Sequence, residues 1–391
     1  MGRKKIYFET RALVADHFSC VGHYVLGIAK ALDDYIGSPE HTQLQKEHNS
    51  DFDTILWAPR NHVSRLAKFK FLNLRSKAFP IPSYLIDRLL DNNLFPPLDL
   101  WPGKRVYFFT NFSRFPLLRA KSATVIYDTS FESVPQFVDA NNRRFLSKIV
   151  KKSANKSDLI ITISRHAKQD LVKFYGVPAS KVIIAYPGVD RTIFYKRSPA
   201  EIAAVKYQYG LPDNYVLFVG NIEPRKNISG LIEAYTKLPL ELCQRHPLVL
   251  IGASGWLTEE IFNKITTAQE KGYPIVRPKK YVADADIPAV YSGATILAYP
   301  SHYEGFGIPP LEAMACGVPV VCADNSSLPE AVGNAALLVK STDTPAISKA
   351  IQKLLQDKDL RAGLIEKGYR QVPKFSWRDS AELIYKALMD L

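Results

Sequence analysis

Four short apolar runs, Val216-Leu217-Phe218-Val219, Leu248-Val249-Leu250-Ile251, Thr295-Ile296-Leu297-Ala298 and Pro319-Val320-Val321-Cys322, stand between Gly, Pro or polar breaks with helix-like stretches around them. Strands without polar alternation are buried on both faces, which in a water-soluble domain means a parallel sheet covered by crossover helices. The first half repeats the pattern less cleanly at Ile6 to Phe8, Thr54 to Trp57, Val106 to Phe109, Thr124 to Tyr127, Leu159 to Ile163 and Val182 to Ala185. A chain of 391 residues has the length for two or three such domains. The boundary is expected near 195/196, in the polar stretch Tyr195-Lys196-Arg197-Ser198-Pro199 that follows Pro187-Gly188-Val189-Asp190. After residue 372 a separate closing helix is predicted, with Ser376 as its N-cap and Ala381, Leu383, Ile384 and Leu388 at helical spacing. There is no internal repeat or low-complexity tract.

With 47% hydrophobic and 23% charged residues, the composition excludes a disordered chain. No run of about 18 apolar residues is present, and Met1-Gly2-Arg3-Lys4-Lys5 leads directly into Ile6-Tyr7-Phe8, so a cytoplasmic protein is expected. Cys20, Cys243, Cys316 and Cys322 have no metal-ligand spacing and read as reduced, mostly buried side chains. The net charge of +13 is unevenly placed: residues 1 to 200 hold 31 Lys+Arg against 17 Asp+Glu, and the remainder 20 against 21. The first half is therefore expected to face something anionic, nucleic acid or a phospholipid surface, unless the excess is simply a solvated face. Arg60, Arg65, Lys68, Lys70, Arg75 and Lys77 concentrate it without an intervening acid, interleaved with Leu66, Phe69, Phe71, Leu72 and Leu74. This stretch is either a peripheral membrane contact or a loop that packs its apolar residues inward.

Ligands of open α/β sheets sit at the carboxyl ends of strands, beside glycine-rich loops and helix N-termini. The stretch from Tyr299 to Pro319 supplies all of these. Gly305 and Gly307 allow positive φ and close backbone approach, and Pro309 and Pro310 are tolerated in a first helical turn. The amides around Gly305, Phe306 and Gly307 then form an anion site, with Glu304 at its rim and Glu312 eight residues on, within the helix. The alternative is a plain turn with Glu312 on a helix surface, but strand, glycines, prolines and spaced acids coincide here. Two Asp-x-Asp strings compete as metal ligands. Asp51-Phe52-Asp53 precedes a strand, and Asp284-Ala285-Asp286 reads as helix N-cap chemistry, so no metal site is expected.

The stretch Glu304-Gly305-Phe306-Gly307-Ile308-Pro309-Pro310-Leu311-Glu312 resembles the E-x7-E signature of the retaining nucleotide-sugar glycosyltransferases of family 4. Glu223-Pro224-Arg225-Lys226-Asn227, Ile163-Ser164-Arg165-His166-Ala167, Pro187-Gly188-Val189-Asp190 and Phe375-Ser376-Trp377 are similar to further segments of that family, so the resemblance covers roughly residues 120 to 391. It implies the GT-B fold, two Rossmann-like domains facing a central cleft: an acceptor domain over 1–195, a donor domain over 196–372, and a helix at 373–391 returning to the first. It also implies roles. Lys226 and Arg225 would hold the donor diphosphate and neutralise it as it leaves, with Gly305, Phe306 and Gly307 adding amides. Glu304 would face the donor sugar, Glu312 the ribose, Val282 the base, and Gly22 the phosphates, while His23 is equally an ordinary helix-start histidine. Asp128 would contact acceptor or donor sugar. Many relatives carry a histidine just before that aspartate, whereas this chain has Tyr127, which lacks an imidazole's near-neutral titration.

The resemblance implies anomer-retaining hexose transfer that needs neither cofactor nor metal, from a nucleotide-diphosphate sugar, GDP-mannose first and UDP-sugars next, to a glycan or lipid-linked acceptor. The rivals are a GT-B epimerase or phosphorylase, a non-catalytic relative, and a nucleic-acid-binding protein. No nucleic-acid motif is visible, and an anionic membrane surface at residues 60–77 is the expected partner of the basic half.

Overall fold

The computed structural model describes residues 4–14, 19–47, 52–79, 81–91, 94–100 and 105–391. They divide into two compact units. The first comprises residues up to Thr129, Arg144–Pro187 and Ser376–Leu391, and the second Ser130–Arg143 with Gly188–Phe375.

In the first unit β1 (Lys4–Glu9), β2 (Phe52–Pro59), β3 (Arg75–Phe79), β4 (Arg105–Phe109), β5 (Lys121–Val125), β6 (Leu159–Thr162) and β7 (Val182–Ile184) form one parallel sheet in the order β3-β2-β1-β4-β5-β6-β7. The register pairs Ile6 with Thr54 and Val106, and Ala123 with Leu159. Ile6, Phe8, Leu56, Phe108, Phe109, Val125 and Ile161 fill its two covered faces. An aromatic group of Trp57, Phe79, Phe95, Tyr107, Phe109 and Phe115 packs at one side, with the Phe79 and Phe95 rings stacked at 5.8 Å. β3 is a strand within what reads from sequence only as a basic stretch. It pairs on one side alone, with β2, and leaves Arg75, Ser76, Lys77 and Ala78 exposed, so it carries no apolar run.

In the second unit β8 (Val216–Val219), β9 (Leu248–Ile251), β10 (Ile275–Val276), β11 (Ile296–Tyr299), β12 (Val320–Ala323) and β13 (Ala336–Val339) run parallel in the order β10-β9-β8-β11-β12-β13. Every residue of β9, β11 and β12 is buried, as their unbroken apolar sequences require. Both sheets share the doubly wound order, whose direction reverses between β1 and β4 and between β8 and β11. The loops after β8 and β11 therefore open side by side at the carboxyl end of the second sheet.

The division differs from the 1–195, 196–372 and 373–391 expected from the sequence. The change of unit falls at Pro187/Gly188, and residues 130–143, which follow β5 in the chain, pack with the second unit. The closing helix Trp377–Met389 belongs to the first unit, with the Ser376 hydroxyl accepting from the Asp379 amide at 3.2 Å. Ser380 Oγ donates to the Tyr186 carbonyl at 2.7 Å, and the Trp377 ring meets Tyr24 edge-on at 5.5 Å. Gly27, on the helix Cys20–Ile36, is required by that packing: a Cβ there would lie 2.6 Å from the indole. No helix among the described residues is long and apolar enough to cross a membrane. Cys243, Cys316 and Cys322 are buried and Cys20 is exposed.

Candidate active site

Val219 ends β8, and the chain turns through Gly220 into the single turn Pro224–Lys226, which delivers two cations at the sheet's carboxyl edge. Tyr299 ends β11, and the next five residues deliver Glu304 to the same place. The Lys226 ammonium lies 2.7 Å from Glu304 Oε1 and donates to the Tyr299 hydroxyl at 3.0 Å. Arg225 spans the rest of the cluster. One guanidinium nitrogen donates to the Tyr303 carbonyl at 2.8 Å and reaches Glu304 Oε2 at 3.3 Å, while the other donates to Glu223 Oε1 at 2.7 Å. Glu223, Lys226 and Glu304 are all buried. Two carboxylates and two cations are thus held out of water in one network. Burial alone would raise the Glu304 carboxyl, but the Lys226 and Arg225 charges outweigh it and hold it at about 2. At neutral pH Glu304 is an acceptor of hydrogen bonds and a stabiliser of positive charge, and has no proton to donate.

The loop behind Glu304 is tied at each step. Its amide donates to Ser326 Oγ at 3.0 Å, and Ser327 Oγ donates to the carbonyls of Glu304 and Phe306 at 2.8 and 2.9 Å. Phe306 is buried edge-on against Phe375 at 5.0 Å. Only one of the two glycines expected at positive φ adopts it: Gly307, at +118°, whereas Gly305 does not. The sharp reversal is needed once, where the loop enters the helix Ile308–Ala315, and a Cβ at Gly307 would approach Leu328 to 2.8 Å. Pro309 and Pro310 sit in the first turn of that helix, as expected.

Glu312, about one turn along, is half-buried, and Tyr291 Oη donates to its Oε2 at 2.9 Å. Burial pushes this carboxyl up to about 7, the Tyr291 bond opposes the rise and Asp284 adds to it. Val282 is buried in the loop between β10 and the helix Ile287–Ser292, beside Ala283, whose amide donates to the Tyr209 hydroxyl at 3.2 Å. Asp286 occupies the N-cap position of that helix without capping it. Its carboxylate instead accepts from Tyr209 Oη at 2.6 Å, which corrects the N-cap reading of Asp284-Ala285-Asp286. Asp51 lies outside the described residues, and Asp53 lies within β2. Among the described residues no three His, Cys, Asp or Glu side chains group to hold a metal ion.

The other expected site residues belong to the first unit. Gly22 lies inside the first turn of the helix Cys20–Ile36, where its amide donates to Ser19 Oγ at 3.4 Å, so the helix starts earlier than the glycine turn expected there. His23 is exposed in the same turn. Asp128 is half-buried three residues after β5. Its neighbour Tyr127 is buried and donates to the Thr110 carbonyl at 2.6 Å, with its ring edge-on to Tyr24 at 5.2 Å. Burial raises this phenol well above its ordinary value. Tyr127 is therefore a structural strut, which accounts physically for the departure from histidine. Arg225, Lys226 and Glu304 converge as the motifs suggest. Glu223 completes the cluster and was not singled out, although it opens the same motif.

Residues 202–371 match the model of glycosyl transferases group 1, and residues 107–192 that of glycosyltransferase family 4. The chain is 36% identical over 260 residues to an O-antigen chain mannosyltransferase B of Escherichia coli, covering 66% of this chain and 68% of that protein. It is 33% identical over 251 residues to the serotype-specific mannosyltransferase WbdA of the same species, covering 63% of this chain but only 30% of WbdA. Among solved structures, Anabaena HepE in complex with UDP and glucose superposes with a TM-score of 0.71 at 17% identity, covering 99% of this chain and 100% of HepE. WaaG, a glycosyltransferase involved in lipopolysaccharide biosynthesis, superposes with a TM-score of 0.65 at 15% identity, covering 98% of each chain. Taken with two doubly wound sheets and a basic-acidic cluster where the second reverses, these matches place the chain among the family-4-like glycosyltransferases of the GT-B fold.

Proposed function

We propose that this glycosyltransferase moves a hexose, mannose from GDP-mannose before other donors, onto a glycan or lipid-linked acceptor in cell-surface polysaccharide or glycolipid synthesis. The mannosyltransferase names of the relatives support the sugar, and the buried cluster of Glu223, Arg225, Lys226 and Glu304 is the observation that carries the chemistry. In the proposed reaction the bond between the anomeric carbon and the β-phosphate oxygen breaks, and the electron pair leaves with the nucleoside diphosphate. Arg225 and Lys226 neutralise that charge in a site largely closed to water. The acceptor hydroxyl adds to the same face of the sugar, and its proton passes to the departing phosphate oxygen. Glu304, ionised throughout, accepts from sugar hydroxyls and offsets the positive charge at the anomeric carbon. Glu312 accepts from the ribose, Val282 lines the base, and the Gly305, Phe306 and Gly307 amides meet the distal phosphate. Gly22 and Asp128 are assigned to the phosphates and the acceptor or donor sugar. The reading is of retention without a metal. Turnover of a panel of GDP- and UDP-sugars, with the product anomer read by NMR and EDTA added in parallel, tests it. An inverted product, or activity lost to EDTA and restored by Mn²⁺, would overturn that part.

The acceptor is assigned to an anionic membrane surface met by residues 60–77. All six cations of the stretch are exposed, and Leu72 is 88% exposed, while Leu66 and Leu74 pack inward. The Asp33 carboxylate accepts from the amides of Leu72, Asn73 and Leu74 at 2.7 to 2.8 Å, which pins the loop with its cations outward.

A further inference from the structure

The segment Ser130–Arg143 leaves the first unit two residues after Asp128, packs with the second, and returns. It is anchored by Phe137, whose ring lies face to face with that of His302 at 4.7 Å and 6°. Trp256 Nε1 donates to the Phe137 carbonyl at 2.8 Å and fixes the backbone that carries the ring. His302 is a junction of the candidate site. Its amide donates to the Arg225 carbonyl at 2.9 Å, and its Nδ1 lies 3.2 Å from Ser341 Oγ. Ser341 in turn accepts from Asn227 at its carbonyl, at 2.6 Å, and from Asn325 at its hydroxyl, at 3.0 Å. Those amides also hold the Pro300 and Ser301 carbonyls. The loop leading to Glu304 is therefore held by hydrogen bonds and, on the Phe137 side, by a ring stack.

We propose that Phe137 and Trp256 are positioning residues that clamp His302, and through it set Arg225 and Glu304 in the geometry that receives the nucleoside diphosphate. The inference rests on the donor reading of that cluster. Two groups of opposite charge carried by separate loops must be held within a fraction of an ångström to serve a phosphate. The hydrogen bonds around His302 fix its edge but leave the tilt of its ring to the stack. Loss of the Phe137 ring frees that tilt without removing any group that touches the donor.

Calorimetric titration of the full chain with GDP, together with KM and kcat for the preferred donor, tests the clamp. Phe137→Ala is expected to weaken GDP binding and raise donor KM by about three- to tenfold, the range a stacked ring contributes. The melting temperature should change little, and Phe137→Tyr should restore both constants. Trp256→Phe, which keeps a ring but loses the indole N–H, is expected to give a smaller loss in the same direction and serves if Phe137→Ala does not fold. GDP affinity and donor KM unchanged in both variants, while Lys226→Ala abolishes binding, would overturn the clamp and leave the donor reading standing. Binding that Lys226→Ala does not weaken would overturn both.

Discussion

Lys226 Nζ and Glu304 Oε1 form a buried ion pair at 2.7 Å across the mouth of the second sheet, joining the loop after β8 to the loop after β11. Removal of Glu304 leaves the buried Lys226 ammonium without its carboxylate, and removal of Lys226 leaves Glu304 with the longer Arg225 contact at 3.3 Å. Breaking such a pair typically costs about 3–5 kcal/mol. Lys226→Ala is accordingly expected to lower the melting temperature as well as nucleotide-diphosphate affinity. The double variant Lys226→Met/Glu304→Leu should recover much of the stability and none of the activity. Scanning calorimetry beside a transfer assay checks it, and a double variant no more stable than Lys226→Ala would contradict it.

The same pair gives acid sensitivity of known sign. Glu304 titrates at about 2 in the folded chain against an ordinary 4.5, so its contribution is present above 4.5 and is lost as pH falls toward 2. Glu304→Gln should therefore flatten the fall in chemical-denaturation stability between pH 5 and 3, which an unchanged slope would refute.

Glu223 is expected to matter through its carboxylate's hold on Arg225. Its buried carboxylate holds one end of the guanidinium at 2.7 Å while Glu304 and the Tyr303 carbonyl hold the other. Glu223→Gln should weaken GDP binding roughly tenfold, the scale of one charge-assisted hydrogen bond of about 1.5 kcal/mol. Titration calorimetry measures it.

Glu312 predicts a step in the opposite direction. With its carboxyl raised to about 7, the folded chain holds a proton between pH 4.5 and 7 that the unfolded chain releases, so this group's contribution to stability is lost as pH rises through about 7. Ionisation over the same interval makes it a stronger acceptor for ribose hydroxyls. Affinity for GDP-mannose, whose phosphates do not titrate there, should rise between pH 6 and 8. Tyr291→Phe removes the bond that restrains the shift and should move the step upward, and Glu312→Gln should abolish it.

Membrane attachment through residues 60–77 predicts co-sedimentation with liposomes containing anionic lipid at low salt and release at high salt. The Debye length falls from about 10 Å at 0.1 M to about 3 Å at 1 M. Changing Lys68, Lys70, Arg75 and Lys77 to Ser should remove most binding. Equal sedimentation with zwitterionic liposomes would return these cations to a solvated face.

The amino-acid sequence by itself determined the elements whose burial is complete and whose chemistry is local. The runs at β8, β9, β11 and β12 are apolar at nearly every position because both faces of the sheet are covered, so they could be read without partners. Arg225, Lys226, Glu304 and Glu312 were legible because each lies within a few residues of the strand end, glycine or proline that places it. Three of the four edge strands were not. β3 is charged and exposed, β10 has two residues, and β13 is only partly buried, so pairing on one side leaves little mark on composition. Tertiary structure alone decided what meets what. The pairing of Lys226 with Glu304 spans 78 residues, and the recruitment of Glu223 depends on where Arg225 turns. The placing of Phe137 against His302 assigns a segment of the first half to the second unit. Local propensity sees a few residues in either direction, whereas these contacts are fixed by the strand order that brings distant loops to one edge of a sheet.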